Sequence, residues 1–393
     1  MSDNIPFELQ QLIINKLPVE PLIRFRSVCK AWKSLIDSSD FILHHITKQQ
    51  HQHLLVRYQD TELKYVSIPD NDTDTFPQNT ASDSHGLLCL FGYFDRKAII
   101  WNPSIRKAVD VALHLLDRDV EEMSAIFLGF GVCVGTRDPK IVKIRIKRKE
   151  GVVLWQVEVF TLSTRVWRSA HSSNLPSKFV RFGGEQMVVD LVVYWHVNGD
   201  VRDRADGEGG YGNLIVSFDL TSEEFGEVKL PDRLANTPCG LCMFKPRESL
   251  AAIEGGLEDS KLVYHVWAMK DGVPKLFEKL FTISGHQGRM DSLADFLHPL
   301  TKIPGSATGG HTPDGSLVSS VLGFRKTGEA LVELQAHPCS IRTLATYDPY
   351  SKAINNLGVS GRHISVYSYT ETLLLLDQPD ITNYKKGNAT FPN

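Results

Sequence analysis

Cys239-Gly240-Leu241-Cys242 has the spacing of a redox dithiol or of half a zinc site, since two thiolates two residues apart can share a metal or close a disulfide. No second Cys or His pair stands at ligand distance and no strand-to-helix pattern surrounds it, so both cysteines read as structural. Gly129-Phe130-Gly131 and Gly207-Glu208-Gly209-Gly210-Tyr211-Gly212 are the kind of backbone that wraps a phosphate. Neither leads into a helix or ends in Gly-Lys-Ser/Thr, which predicts a turn for the first and a flexible loop for the second. Lys140, Lys143, Arg145, Lys147, Arg148 and Lys149 form a basic cluster, with Val142, Ile144 and Ile146 alternating through it. That alternation predicts the wet face of a strand rather than an anion patch or a nuclear address. His44-His45 and His51-Gln52-His53 lie in a polar stretch without further ligands, which predicts a solvated helix end. Scattered Ser, His and Asp show no nucleophile elbow or metal box. No catalytic, cofactor-binding or metal-binding residue is assigned, and no cofactor is expected.

The elements that would have to position any chemistry fall into two groups. At the N-terminus, Asn4-Ile5-Pro6-Phe7-Glu8 reads as a helix start, followed by Leu9, Leu12, Ile13 and Leu17 at the spacing of one helical stripe until Pro18. A second helix begins near Pro21 with Leu22, Phe25 and Val28. A third carries Cys29, Trp32, Leu35 and Ile36, and Ser38-Ser39-Asp40 opens a fourth with Phe41, Ile42 and Ile46. The stripe is expected to fill a small core, leaving Ile14, Val19 and Ile23 as a second apolar surface. So short a segment seldom stands without outside help, so the surplus implies a partner; the plainer reading is a helical cap folded back on the rest of the chain.

Ile5-Pro6 with Glu8, Leu17-Pro18, Leu22, Arg26-Ser27-Val28-Cys29-Lys30 and Trp32, then Leu35-Ile36, resemble an F-box over residues 3–46, with isoleucine for leucine at position 5. The resemblance implies docking on the Skp-family adaptor, and through it cullin, of a Skp-cullin-F-box ubiquitin ligase. The positions it carries over are Ile5, Pro6, Leu9, Ile13, Leu17, Pro18, Leu22, Val28, Cys29 and Trp32, some facing the adaptor and some the module's interior. Trp32 is a type that often anchors an interface and equally fits a core.

Past residue 46 the period changes to that of strands. Leu54 to Ile68 reads as strands and Pro69 to Ser84 as a loop. Then short β-type runs follow: Leu87–Phe91, Ala98–Trp101, Ile126–Val134, Ile141–Ile146, Val152–Phe160, Met187–Val197, Leu214–Leu220, Leu262–Met269, Ser316–Phe324, Ala330–Gln335, Ile341–Tyr347 and Ile364–Leu376. One motif recurs, an aromatic strand end followed by a polar tight turn. It stands at Trp101-Asn102-Pro103-Ser104-Ile105-Arg106, Phe160-Thr161-Leu162-Ser163-Thr164-Arg165, Phe218-Asp219-Leu220-Thr221-Ser222 and Tyr347-Asp348-Pro349-Tyr350-Ser351-Lys352. Its spacings of 59, 58 and 129 residues predict repeated units of a propeller-like ring, with a degenerate copy near Val266 to Gly272; about two dozen strands at four to a blade would make six or so blades, a number the sequence does not fix. A stack of two sandwiches is the alternative.

Ser84-His85-Gly86-Leu87-Leu88-Cys89, Trp101 to Lys107, Val216 to Leu220 and Leu373 to Leu376 are similar to the F-box-associated interaction domain of plant F-box proteins, over residues 52–380. That family implies a kelch-like β-propeller that captures a protein for ubiquitylation. The expected fold class is thus α+β multidomain, a small all-α F-box module followed by an all-β, kelch-like domain. The expected segments are the F-box over 1–46, a connecting segment with first strands over 47–84, the propeller-like domain over 85–380 and a tail over 381–393. The chain is expected to serve as a substrate receptor that does no bond chemistry, with an unidentified protein target. The alternatives are a non-degradative F-box scaffold or a propeller enzyme with acids or metal ligands in its channel. The loops 198–213 and 284–316 are candidates for the rim that holds the target.

Bulk composition agrees. With 42% apolar and 23% charged residues and a net charge of −3, the 393-residue chain offers neither a polyanion-binding nor a membrane-binding surface in bulk, and no nucleic-acid or membrane partner is expected. Six cysteines are too sparse for a disulfide framework, no apolar stretch reaches roughly 18 residues, and residues 1–20 lack a signal-peptide pattern, so cytoplasm or nucleus is expected.

Overall fold

A computed structural model describes residues 5–47, 52–60, 63–69, 82–91, 97–114, 125–133, 136, 138–149, 152–170, 180–199, 212–237, 241–244, 249–258, 261–270, 276–284, 317–324, 329–335, 341–348, 353–376 and 378. Four helices come first: α1 (Phe7–Ile14), α2 (Val19–Phe25), α3 (Lys30–Ile36) and α4 (Ser39–Thr47). Pro6 and Pro18 stand immediately before α1 and α2, where their missing N–H costs nothing. Side chains cap the other two: Cys29 Sγ accepts from Trp32 N at 3.4 Å and Ser38 Oγ from Phe41 N at 3.4 Å.

Among the described residues twenty-two strands follow, in five antiparallel sheets. β1 (Gln52–Gln59) and β2 (Leu63–Pro69) form a hairpin. A first four-stranded meander holds β3 (Ser82–Ser84), β4 (Leu87–Phe91), β5 (Lys97–Asn102) and β6 (Lys107–Ala112). The second holds β7 (Ala125–Cys133), β8 (Asp138–Lys149), β9 (Val152–Thr161) and β10 (Val166–Ser169). The third holds β11 (Val180–Val189), β12 (Val192–Gly199), β13 (Gly212–Asp219) and β14 (Phe225–Val228). After a short helix α5 (Asp232–Ala235), the fourth holds β15 (Cys242–Phe244), β16 (Ala251–Glu258), β17 (Lys261–Lys270) and β18 (Leu276–Ser284). The last sheet runs β19 (Leu317–Phe324), β20 (Ala330–Gln335), β21 (Arg342–Tyr347), β22 (Ile354–Thr370), and then takes in β1 and β2. β22 pairs with β21 through residues 354–361 and with β1 through residues 362–370. The hairpin expected to lie in a connecting segment is therefore part of the β-domain, because its ladder partner comes from the other end of the chain.

The first four sheets stack face to face in sequence through apolar clusters. The first and second share Ile100, Val111, Leu128 and Phe160; the second and third Val142, Val159, Trp195 and Phe218; the third and fourth Val189, Tyr194, Met243 and Ala252. Leu55 of β1 closes the series on Leu88 and Trp101 of the first sheet. This is the radial stacking of a propeller, not a pair of sandwiches, and the described strands make five blades rather than the six or so expected from the strand count, because the last sheet takes in six strands. The recurring motif joins the third strand to the fourth in its sheet: after Asn102, Thr161, Asp219 and Tyr347. The degenerate copy falls at the end of β17, which is separated from the start of β18 at Leu276 by residues 271–275, outside the described set. Asp219 Oδ1 accepts from Thr221 N and Ser222 N at 2.6 and 2.9 Å, and Arg106, Arg165 and Glu223 take positive φ of 54°, 55° and 61° to complete the turn.

Three further sequence readings are corrected. Gly129-Phe130-Gly131 is not a turn but the middle of β7, which presses so closely on the third sheet that a β-carbon on Gly129 would lie 2.3 Å from Trp195 Cζ2. Met187–Val197 is two strands, reversed at Asp190-Leu191 with φ of 47° and 67°, a hairpin hidden inside an apolar run. The described part of the basic cluster, Lys140, Lys143 and Arg145, is not a wet face. Residues 141–146 are all buried because neighbouring sheets cover both sides of β8. Lys143 Nζ instead donates to Leu113 O at 2.8 Å, pairs with Glu158 Oε2 at 2.7 Å and sits 4.6 Å over the Trp167 ring. Arg145 reaches Gln156, and Lys140 donates to Leu220 O at 2.6 Å and pairs with Glu223 at 2.9 Å.

The close approach of the second and third sheets is testable. Gly129→Ala is expected to lower unfolding free energy in urea by about 1–3 kcal/mol through overpacking on Trp195; an unchanged midpoint would overturn it.

Candidate docking surface

The helical module has two apolar faces, and the structure assigns them the opposite way from the sequence reading. Ile14, Val19, Leu22, Ile36, Phe41 and Ile42 form the interior, all 7% exposed or less. Ile5, Phe7, Leu9, Leu12, Ile13 and Val28 stand 43% to 61% exposed. The stripe Leu9, Leu12 and Ile13 thus points outward, while Ile14 and Val19, read as the spare surface, are the core. The cause is tertiary: the inward face also belongs to the apolar cluster containing Leu373 to Leu376 and the first two sheets, so the module lies against the β-domain.

Of the ten positions carried over from the F-box resemblance, Ile5, Pro6, Leu9, Ile13, Pro18, Val28 and Cys29 are exposed. Leu17 and Trp32 are half-buried. Leu22, with no exposed surface, is one of the positions that face the module's interior. Phe7 and Leu12 join the outward face and are additions to the set. The same stripe that contains Leu9 and Ile13 could have identified Leu12; Phe7 had no distinguishing signal.

Polar contacts hold α1 to the α2–α3 junction, so the exposed residues form a joined surface. Trp32 Nε1 donates to Gln10 Oε1 at 2.8 Å, and Gln10 Nε2 donates to Ile5 O at 2.7 Å. The Phe25 and Trp32 rings are tilted at 5.1 Å, and Arg26 grips Asp37 with two bonds of 2.6 and 3.1 Å. His44 is exposed as expected of a solvated helix end, but His45 is not: it is buried, with Nε2 3.2 Å from Leu17 O and its ring stacked on Phe41. That contact engages a carbonyl of the turn between α1 and α2.

The chemistry weighed from sequence has little to work with here. Burial pushes the Cys89 thiol up to about 12, so it carries no thiolate near neutrality. Among the described residues no group of three or more His, Cys, Asp or Glu is placed to hold a metal ion. Cys239, residues 200–211 and residues 285–316 lie outside the described set, so the dithiol and both candidate target loops receive no structural account.

Two family matches tile most of the chain: the F-box domain over residues 2–44 and the F-box associated beta propeller domain over residues 44–297. The chain belongs to the F-box associated β-propeller family. An F-box/kelch-repeat protein of Arabidopsis thaliana is 24% identical over 76% of this chain and 82% of its own length. A putative F-box protein of the same plant is 27% identical over 69% of this chain and 88% of its own length. Among solved structures, the β-propeller domain of the Trilobed protease from Pyrococcus furiosus aligns at 12% identity over 73% of this chain and 84% of that one, with a TM-score of 0.33, too slight a likeness to bear on the fold. An F-box joined to a propeller of this family is the build of substrate adaptors in Skp-cullin-F-box complexes in general, which are generally non-catalytic.

The division between core and outward face has a measurable consequence in this F-box. Leu22→Ala is expected to destabilise the chain by about 2–5 kcal/mol, whereas Leu9→Ala should stay within about 0.5 kcal/mol. Equal shifts in thermal denaturation would show that the two faces are wrongly separated.

Proposed function

We propose that this chain is the substrate-receptor subunit of a Skp-cullin-F-box ubiquitin ligase in the cytoplasm or nucleus. It would dock on the Skp-family adaptor through Ile5, Pro6, Leu9, Ile13, Leu17, Pro18, Val28, Cys29 and Trp32, joined by Phe7 and Leu12, and hold a target protein with its β-domain. One observation carries the reading: large apolar side chains of α1 and the α2–α3 junction remain exposed even though the module's other face is packed on the β-domain. Covering such side chains is worth about 1.5–3 kcal/mol each when burial is complete, enough for a handful to anchor a stable interface. The receptor breaks no bond itself. Holding a target close to the charged ubiquitin carrier raises its effective concentration, which is the rate advantage the complex needs.

Co-expression with a Skp-family adaptor tests this directly. Leu9→Asp combined with Ile13→Asp puts two carboxylates on the outward face and is expected to lower co-purified adaptor at least about tenfold, a loss of roughly 1.4 kcal/mol. Because both side chains are exposed, the thermal midpoint should not move. Adaptor recovered in wild-type amount would refute the docking surface.

A further inference from the structure

Asn102 does something that Asp219, its counterpart in the third copy of the turn, cannot. Its Oδ1 accepts from Ser104 N at 2.9 Å and Ile105 N at 3.4 Å, as Asp219 does for its own turn. Its Nδ2, with the side chain wholly buried, donates to Thr372 O at 2.9 Å and Leu374 O at 2.7 Å. A carboxylate could fill the first role but never the second, since it has no hydrogen to give.

The segment it grips, residues 371–376 together with Gln378, is a strap between the F-box and the β-domain. Leu373, Leu374, Leu375 and Leu376 are all buried, in the same cluster as Ile14, Val19 and Leu22 of the F-box. On the β-domain side, Thr372 N donates to Ser104 Oγ at 3.3 Å, and Lys107 Nζ donates to Leu376 O at 2.9 Å and to Gln378 O. Arg165 of the second sheet's turn donates to Gln378 Oε1 at 3.1 Å. On the F-box side, Glu371 Oε2 accepts from Val19 N at 2.9 Å. That amide opens α2, whose preceding Pro18 supplies no side-chain cap, so a carboxylate from 352 residues away caps the helix.

We propose that Asn102 is a positioning residue: through the strap it holds the F-box at one orientation on the propeller, so that the adaptor-docking face and the target-holding domain form a single rigid body. The purpose of that rigidity rests on the receptor reading above; the geometry does not. The proposal explains why the first copy of the motif carries asparagine followed by Lys107, where the third carries aspartate. It also predicts a clean separation. Asn102→Asp retains the acceptor that shapes the turn, as Asp219 shows, but sets a carboxylate oxygen against two carbonyl oxygens of the strap.

Hydrogen exchange of the full chain, followed by mass spectrometry, reads this without an adaptor. In Asn102→Asp, exchange in peptides covering residues 14–25 and 371–376 should accelerate at least about tenfold, while residues 107–112 and 214–219 keep wild-type protection. Glu371→Ala should loosen residues 19–25 alone, and Glu371→Gln, which keeps an acceptor, should restore protection. Wild-type exchange throughout Asn102→Asp would overturn the proposal, as would acceleration that spreads equally to residues 214–219, because either result removes the strap's specific role. Adaptor affinity measured on Asn102→Asp should stay within about twofold, since the outward face is untouched. Wild-type chain that fails to bind an adaptor would defeat the receptor reading while leaving the exchange result to decide the strap.

Discussion

The ladder between β1 and β22 is the constraint on which the other features depend. It pairs Gln52 with Thr370 and Gln59 with Arg362, joining segments about as far apart in the chain as the β-domain allows. Closing so long a loop is entropically unfavourable, though the cost grows only slowly with length. The ladder offsets it by burying Leu54, Val56 and Val366 and by leaving neither terminal strand with an open edge. It also brings residue 52 beside residue 370. The F-box, which ends at Thr47, and the strap, which begins at Glu371, therefore leave the β-domain at the same corner and meet there.

That meeting settles how the module divides its apolar surface. A helical segment this small cannot bury all of its large side chains internally. One face is completed by Leu373 to Leu376 and the first two sheets; the other is left to solvent or a partner. The two readings weighed from sequence, a cap folded back on the chain and a docking module, are thus each true of one face.

The stacking of the sheets has a similar effect on polar residues. A strand covered on one side only would let Lys143 and Arg145 reach water, but β8 lies between neighbouring sheets. A buried ammonium must be paired and hydrogen-bonded, and Lys143 has a carbonyl, a carboxylate and an aromatic face to answer it. Glu223 is treated likewise. Burial works against its ionisation, but hydrogen bonds from Arg168 and Lys140 outweigh that and hold its carboxyl below the usual range. These charges tie the second sheet to the third-sheet turn after Asp219, and they are joints of the ring rather than a site.

Local chemistry was legible where a residue acts on its immediate neighbours. Pro6 marked the start of α1, Pro18 its limit and Ser38 the cap of α4, whereas α2 opens at Val19, directly after Pro18 and ahead of the start read near Pro21; the turn motif at 101–106, 160–165, 218–222 and 347–352 marked the same connection in four of the five sheets. Each of these depends on bonds a few residues long, which spacing records. What spacing could not record was which side of an element meets which other element. Leu9 and Ile14 are equally apolar, Gly129 looks like a turn until Trp195 is placed against it, and Asn102 looks like Asp219 until the strap arrives from 270 residues away. Periodicity states that a face is apolar and composition that a group is polar, but the identity of the covering surface is a long-range contact, decided only when the two ends of the chain close the ring.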